Sequence, residues 1–131
     1  MPIKRYKGAK AKADKLFSEV IRSIGRCEDC GSTRYLQCAH IISRRFNSTR
    51  CDTRNAFSLC ASCHRKYTDF PREFSKFITR TWAQDYYDFI LVKARDPKAG
   101  KYVDWDERIE FLTKIKTGEM TLGQARDREG I

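Results

Sequence analysis

Two cysteine pairs, Cys27-Glu28-Asp29-Cys30 and Cys60-Ala61-Ser62-Cys63, frame the centre of this 131-residue sequence. The Cys-x-x-Cys spacing lets both sulfurs of a pair turn toward one ion, and two such pairs complete a tetrahedral set for Zn²⁺. Disulfides and scattered buried thiols are the alternatives, and disulfides are disfavoured because the sequence begins without an apolar export signal. The connection between the pairs exceeds that of a minimal zinc ribbon. We therefore expect a structural zinc site with a segment inserted between its halves.

The inserted segment and its edge contain both histidines of the chain. His40 ends a β-compatible stretch, Asn55 follows fifteen residues later, and His64 directly follows Cys63. Two histidines confined to a zinc-framed, arginine-rich segment favour a chemical role over coincidence. The two other cysteines, Cys38 and Cys51, are interpreted as small thiols rather than ligands.

Apolar periodicity predicts helices on both sides of this centre. One helix is expected from about residue 13 to 24, another from 71 to about 95, and a last one over 105–116. Short strands are expected at 35–42 and 55–59, with a polar loop over 43–53 between them and a helix opening at Cys60. Residues 124–131 are polar, so we expect a frayed end.

The charge of the chain is +10 and is unevenly distributed. Residues 1–26 carry a net charge of +6 and residues 27–70 a net charge of +3, whereas residues 71–131 are nearly neutral. A basic N-terminus and centre favour a polyanionic partner such as DNA. Neither a membrane span nor a small-molecule substrate is indicated, and a cytoplasmic location is expected.

The central motifs resemble the HNH endonucleases, also called ββα-metal or His-Me finger nucleases, of the type framed by a four-cysteine zinc. The resemblance covers residues 27–70 and suggests the small phage-encoded, NinG-like recombination nucleases. It is carried by the following elements: Cys27-x-x-Cys30, Cys38-Ala39-His40-Ile41, Ser43-Arg44-Arg45, Thr49-Arg50, Asn55 and Leu59-Cys60-x-x-Cys63-His64.

The resemblance implies an α+β fold and a division of the chain into three parts. Residues 1–26 would form a basic arm and a helix, and residues 27–70 a zinc-stapled ββα-metal core. Residues 71–131 would form a helical extension packed on that core. In the host cytoplasm, such a phage protein would act on DNA, with a monomer slightly favoured over an oligomer.

The resemblance also assigns roles to the polar residues of the core. His40 would be the general base that activates a water molecule, and Asn55 would brace the loop that orients it. His64 would hold one catalytic divalent ion, Mg²⁺ or Mn²⁺. The DNA contacts would come from the loop and the N-terminal arm, through Arg44, Arg45, Arg50, Lys4, Arg5 and Lys7.

One departure from the family pattern concerns the catalytic ion. Many members have Asp or His directly before the general base, where this chain has Ala39, and some have a further His where it has Thr68. Either His64 holds the ion with few other protein atoms, or another residue compensates. The candidates for compensation are Asp52, Asp69 and Cys38.

Three functions remain open from the sequence. The first is a metal-dependent DNA endonuclease, and the second is a zinc-stabilised DNA-binding module without catalytic activity. The third is an interaction protein of a phage assembly that docks through the aromatic helix 71–95. Each site residue also has a structural alternative: His40 as a hydrogen-bonding group, His64 as a spare zinc ligand, Asn55 as a turn residue and the arginines as a solvated surface.

Overall fold

The described chain contains one two-stranded sheet and a series of mostly short helices. The structure is a computed structural model and describes residues 8–82 and 84–129. Its elements, in chain order, are α1 (Ala9–Arg22), β1 (Leu36–His40), α2 (Asn47–Arg50), β2 (Ala56–Cys60), α3 (Ala61–Asp69), α4 (Pro71–Thr81), α5 (Gln84–Arg95), α6 (Pro97–Lys101), α7 (Trp105–Lys116) and α8 (Leu122–Arg128).

The sheet is an antiparallel hairpin whose second strand leads directly into a helix. Strands β1 and β2 pair in register from Leu36 opposite Cys60 to His40 opposite Ala56, and α3 begins at the next residue. The four cysteines of the two pairs lie together at the Cys60 end of the hairpin. The expected α+β fold with a ββα core is therefore confirmed.

Different helices cover the two faces of the hairpin, because successive side chains of a strand point to opposite sides. On one face Phe57 and Leu59 pack with Tyr67 of α3 and Phe77 of α4. The Phe57 and Phe77 ring centroids are 4.8 Å apart. A two-stranded hairpin is at best marginally stable in water, so this packing is what makes it persist.

The other face of the hairpin lies against α1 and α7. Phe17 and Val20 of α1 and Leu112 of α7 are fully or almost fully buried against Ala56 of β2. Helix α1 was expected over about residues 13–24 and in fact spans Ala9–Arg22. The expected helix over residues 105–116 is confirmed as α7.

The helix expected from residue 71 to about 95 is wrong as a continuous element. The structure has two helices, α4 and α5, and the backbone of Trp82 after α4 is extended (φ −102°, ψ 147°). This break brings the Trp82 indole into a stacked arrangement on Phe57, with ring centroids 5.3 Å apart. Burial of these two rings decides the break, which apolar periodicity alone does not reveal.

The expectation of a frayed end over residues 124–131 is also wrong for the residues described. Helix α8 is held at its start by a capping box between Thr121 and Gln124. After it, the buried carboxylate of Glu129 accepts hydrogen bonds from the Thr53 backbone N–H (2.6 Å) and from Arg108 (2.8 Å). These contacts anchor the C-terminal segment to buried groups. Its polar composition does not predict such an anchor.

The loop expected over residues 43–53 is only partly irregular, since it contains the single-turn helix α2. None of the helices in residues 8–82 and 84–129 is long and apolar enough to cross a membrane.

Replacing Glu129 by Ala should lower the free energy of unfolding by about 3 kcal/mol or more, because the half-buried Arg108 would keep its charge without this partner. The measurement is urea unfolding of the zinc-loaded protein. Glu110→Ala is the matched control on an exposed position of α7, where the expected change is within about 0.5 kcal/mol. Equal stability of both variants would contradict the proposed anchoring of the C-terminal segment.

Candidate functional site

The four cysteines of the two pairs form a metal-binding cluster. The sulfur atoms of Cys27, Cys30, Cys60 and Cys63 all lie within 4.8 Å of one another. Cys30 Sγ and Cys60 Sγ are 3.7 Å apart, close to the separation of about 3.8 Å that tetrahedral geometry gives for Zn–S bonds of 2.3 Å. The donor set and spacing therefore fit one structural zinc ion, as the sequence predicted.

In each pair, the backbone N–H of the second cysteine donates a hydrogen bond to the sulfur of the first. The backbone N–H of Cys30 points to Cys27 Sγ and that of Cys63 points to Cys60 Sγ, both at 3.5 Å. Gly31 completes the first turn with a positive φ of 82°, which glycine adopts without steric cost. Burial raises the pKa of the Cys27 thiol, but backbone amides, first that of Cys30, outweigh it and lower the pKa to about 7.

Glu28 and Asp29, which lie between Cys27 and Cys30, join the first cysteine pair to β2 and to α3. Glu28 exchanges hydrogen bonds with Ser58 of β2, since its N–H donates to the Ser58 carbonyl and its carboxylate accepts from the Ser58 N–H, each at 2.8 Å. Asp29 accepts hydrogen bonds from Tyr67 (2.8 Å) and Lys66 (3.0 Å) of α3. The cluster therefore fixes β2 and α3 relative to each other.

Cys38 and Cys51 lie outside the cluster. Burial raises the pKa of each of these thiols to about 12, so both are neutral at physiological pH. Their interpretation as thiols rather than zinc ligands agrees with this placement outside the four-cysteine cluster.

His40 lies at the end of β1 between the loop and α1. Its Nε2 is 3.0 Å from the backbone carbonyl oxygen of Arg50, and because a carbonyl only accepts, Nε2 carries the proton and Nδ1 the lone pair of the neutral ring. The Phe17 ring packs against the imidazole at a centroid distance of 5.3 Å. Burial lowers the pKa of His40, so the neutral form dominates at pH 7.

Asn55 is fully buried and holds the loop between the strands closed. It lies one residue before β2. Its side-chain oxygen accepts from the Ile42 N–H (2.8 Å), and its amide nitrogen donates to the carbonyls of Ile42 (3.1 Å) and Thr49 (2.9 Å). Such a fully satisfied buried amide fixes a loop strongly. Asn55 thus links Ile42, after β1, to Thr49 of α2; its role in positioning His40 stays a prediction.

His64 lies in the first turn of α3, directly after Cys63. Its Nδ1 is 2.7 Å from the side-chain amide oxygen of Gln37 on β1. Since that oxygen only accepts, Nδ1 carries the proton and Nε2 has the free lone pair. Burial lowers the pKa of His64, which also favours the neutral ring.

A cavity of about 610 Å³ runs along β1 and contains both histidines. One side is formed by α1 and the other by α3. The polar groups that the site can use are Asp14, Ser18 and Arg22 of α1, together with His40, Arg44 and His64.

The arginines of the loop are placed differently from one another. Arg44 and Arg45 are exposed, and Arg44 lines the cavity. Arg50 corrects our expectation, because its side chain is buried and its guanidinium donates to both carboxylate oxygens of Asp14, at 2.6 and 2.7 Å. This ion pair occupies the groups that would grip a phosphate. The arm residues Lys4, Arg5 and Lys7 lie outside the described residues.

Of the three residues considered as compensating metal ligands, Cys38 lines the cavity together with His64, whereas Asp52 and Asp69 do not. Asp52 is buried in ion pairs with Arg54 (2.7 Å) and Lys93 (2.8 Å), which lower its pKa to about 2 against the opposing effect of burial. Asp69 is exposed at the end of α3, and Ala39 is buried in the core. Among the described residues, the four-cysteine cluster is the one group of His, Cys, Asp and Glu with metal-binding geometry.

Four polar residues that line the cavity, Asp14, Ser18, Arg22 and Gln37, were not identified as site residues from the sequence. Asp14 lies on the predicted helix outside the motif, and Gln37 lies three residues before His40 in β1. The spacing of Asp14, Ser18 and Arg22 at four-residue intervals was the available signal, since it puts a polar stripe on one face of α1.

Residues 27–70 match the family model described as HNH endonuclease. This match covers the cysteine cluster, the hairpin and α3, about a third of the chain, and confirms the resemblance for that segment. Neither the curated proteins nor the solved structures contain a match to the chain.

Cys60→Ser should abolish stoichiometric zinc binding and lower the melting temperature, because it removes one of four ligands at the junction of β2 and α3. Metal content by mass spectrometry and thermal unfolding are the measurements. Cys38→Ser is the matched control, since Cys38 lies on the same hairpin outside the cluster, and it should keep one zinc per chain. Zinc loss in both variants would argue against the assigned ligand set.

Asp14→Asn should lower the pKa of His40 further. Burial lowers that pKa, Asp14 raises it through its charge, and Arg44 and Arg50 lower it through theirs. Removing the carboxylate leaves the Arg50 charge unopposed, so the protonated imidazole is disfavoured. NMR titration of the His40 ring measures this, with Glu19→Gln on the same helix as control. An unchanged or increased pKa in the Asn variant would refute the assignment.

Proposed function

We propose that this protein is a metal-dependent DNA endonuclease that hydrolyses phosphodiester bonds. One observation carries the proposal: His40 and His64, in the order and spacing of the matched family, line one cavity beside the zinc cluster. The family match implies nuclease activity, and the shared cavity supports roles for His40 as a base and His64 as a metal ligand.

His40 is the general base of this proposal. The Arg50 carbonyl binds its Nε2–H, which leaves Nδ1 to accept a proton from the attacking water. A base must be neutral to act, and its lowered pKa ensures this at neutral pH. Asn55 acts as a positioning residue, because its bonds to Ile42 and Thr49 hold the loop that ends at Arg50.

His64 is the protein ligand of the catalytic divalent ion, Mg²⁺ or Mn²⁺. Gln37 binds its Nδ1–H and so leaves the lone pair of Nε2 available to an ion, the usual role of a group behind a ligating histidine. With Ala39 buried, His64 would hold the ion without a second side-chain ligand from that position. The ion would supply Lewis-acid stabilisation of the negative charge that develops on the phosphate and the leaving oxygen.

DNA is the substrate that the charge distribution supports. The net charge of +10, the exposed Arg44 that lines the cavity and the exposed Arg45 next to it in the chain fit a phosphate backbone. The basic arm with Lys4, Arg5 and Lys7 would add contacts along the same backbone. We further propose that the protein acts as a monomer that nicks one strand. The resemblance to small phage nucleases supports a phage origin and action in the host cytoplasm.

A DNA-binding module without catalytic activity is the second candidate. The buried Ala39 favours it, because no carboxylate or imidazole stands where many family members have a second metal ligand. Such a module would keep the zinc cluster and the basic surface and bind DNA in a salt-sensitive manner.

His40→Ala should abolish nicking of supercoiled plasmid DNA, with a fall in rate of at least a hundredfold for loss of general base catalysis. The assay compares Mg²⁺, Mn²⁺ and EDTA, and the wild-type protein should nick only with a divalent ion. Glu110→Ala serves as the control on a distant exposed surface.

Unchanged zinc content in the His40 variant is required, since it shows that the fold is intact. The wild-type protein is also tested with every ion on duplex, single-stranded and branched DNA. If it cleaves none of them but still binds DNA in a salt-sensitive manner, the nuclease proposal is wrong and the DNA-binding module is favoured.

A further inference from the structure

The side of the cavity formed by α1 lies outside the segment that matches the family model. Asp14, Ser18 and Arg22 follow one another at four-residue intervals, and all three line the cavity that contains His40 and His64. Residues at this spacing share one face of a helix. Helix α1 therefore presents a continuous polar stripe to the site.

Arg22 is held in a defined orientation by Ser18. Its Nε donates to both the backbone carbonyl and the hydroxyl oxygen of Ser18, each at 3.2 Å. In the described part of the chain, neither of its terminal nitrogen groups has a hydrogen-bond partner. An exposed guanidinium fixed at Nε with its two terminal groups open is suited to a phosphate, which it binds through two parallel hydrogen bonds.

The electrostatics of the cavity also favour an anion at this point. The Asp14 carboxylate is paired with the Arg50 guanidinium, which donates two hydrogen bonds to it. Burial raises the pKa of Cys38 to about 12; the positive charges of Arg22 and then Arg44 oppose that rise, and the Asp14 charge adds to it. Both guanidinium groups therefore lie within charge–charge range of the middle of β1.

The position of Arg22 relative to His40 sets its distance from the reacting bond. Asp14 lies at the His40 end of the stripe, because it binds Arg50, whose carbonyl accepts from His40. Arg22 follows eight residues later, roughly 12 Å along the helix. Arg22 therefore faces the cavity nearer the middle of β1, where it would meet a phosphate other than the one at His40.

We propose that Arg22, oriented by Ser18, forms a subsite that binds a DNA phosphate flanking the phosphate at His40. The subsite extends the proposed nuclease function and rests on it. It makes α1 part of the substrate-binding surface and distinguishes this chain from an isolated HNH core.

The first test measures binding without cleavage, in the zinc-loaded His40→Ala background with EDTA-free buffer lacking divalent ions. A fluorescein-labelled DNA duplex is titrated at several salt concentrations. Arg22→Gln should weaken binding about tenfold, the loss expected for a charge-assisted pair, and reduce the slope of log K against log salt by about one. Ser18→Ala should weaken binding less than Arg22→Gln does, and Arg22→Lys should retain part of the wild-type affinity.

Lys12→Gln is the matched control, because it removes one exposed charge from α1 without altering a residue that lines the cavity. It should change binding less than twofold. Equal affinities and salt slopes for the Arg22 and Lys12 variants would overturn the subsite.

The second test locates the phosphate by cleavage. Single neutral methylphosphonate linkages are placed along one strand. With Arg22 intact, a neutral linkage at one position flanking the cleaved bond should suppress cleavage at that bond. In Arg22→Gln this interference should disappear while interference at the cleaved bond remains. Identical interference patterns in both proteins would overturn the proposal.

The two tests separate the subsite from the proposed nuclease function. Absence of cleavage by the wild-type protein would contradict the nuclease and leave the binding comparison valid. Normal cleavage together with identical behaviour of the Arg22 and Lys12 variants would contradict the subsite alone.

Discussion

The four-cysteine cluster is the constraint on which the rest of the structure depends. It joins the first pair, before β1, to the second pair, at the corner between β2 and α3. A two-stranded hairpin and a nine-residue helix have little stability of their own. Because His64 directly follows Cys63, the same corner that binds zinc also fixes the orientation of the second histidine toward the cavity.

Away from the cysteine cluster, buried polar contacts stabilise the loop between the strands. The loop between the strands buries Asn55, Asp52 and Arg54, which an apolar core would exclude. Asn55 is satisfied by backbone groups of the loop and Asp52 by two cations, so their burial costs are offset. The result is a loop whose last helical residue, Arg50, offers its carbonyl to His40. The chemistry of the site thus depends on a network that is structural in itself.

Helix α1 changes how the site should be understood. It packs its apolar face on the hairpin through Phe17 and Val20, and its polar stripe forms one side of the cavity. Phe17 also contacts the imidazole of His40. A segment that composition marks only as basic and amphipathic therefore contributes to burial, to the charge around His40 and to the shape of the cleft. The C-terminal segment has a comparable structural part, because Glu129 and Arg126 bind the backbone of residues 53 and 56.

The sequence by itself determined the four-cysteine cluster, the ββα core and the helix over residues 105–116. These features are local: a cysteine pair, a strand or an amphipathic helix is encoded by spacing over a few residues. Only the tertiary structure decided the break at Trp82, the burial of Glu129, the pairing of Arg50 with Asp14 and the contact between Gln37 and His64. Each of these joins groups that are distant in the chain or depends on which side chain reaches a buried partner. The sequence does not distinguish a loop arginine that binds a phosphate from one that pairs with a carboxylate. Arg50 pairs with a carboxylate because the packing of α1 places Asp14 next to it.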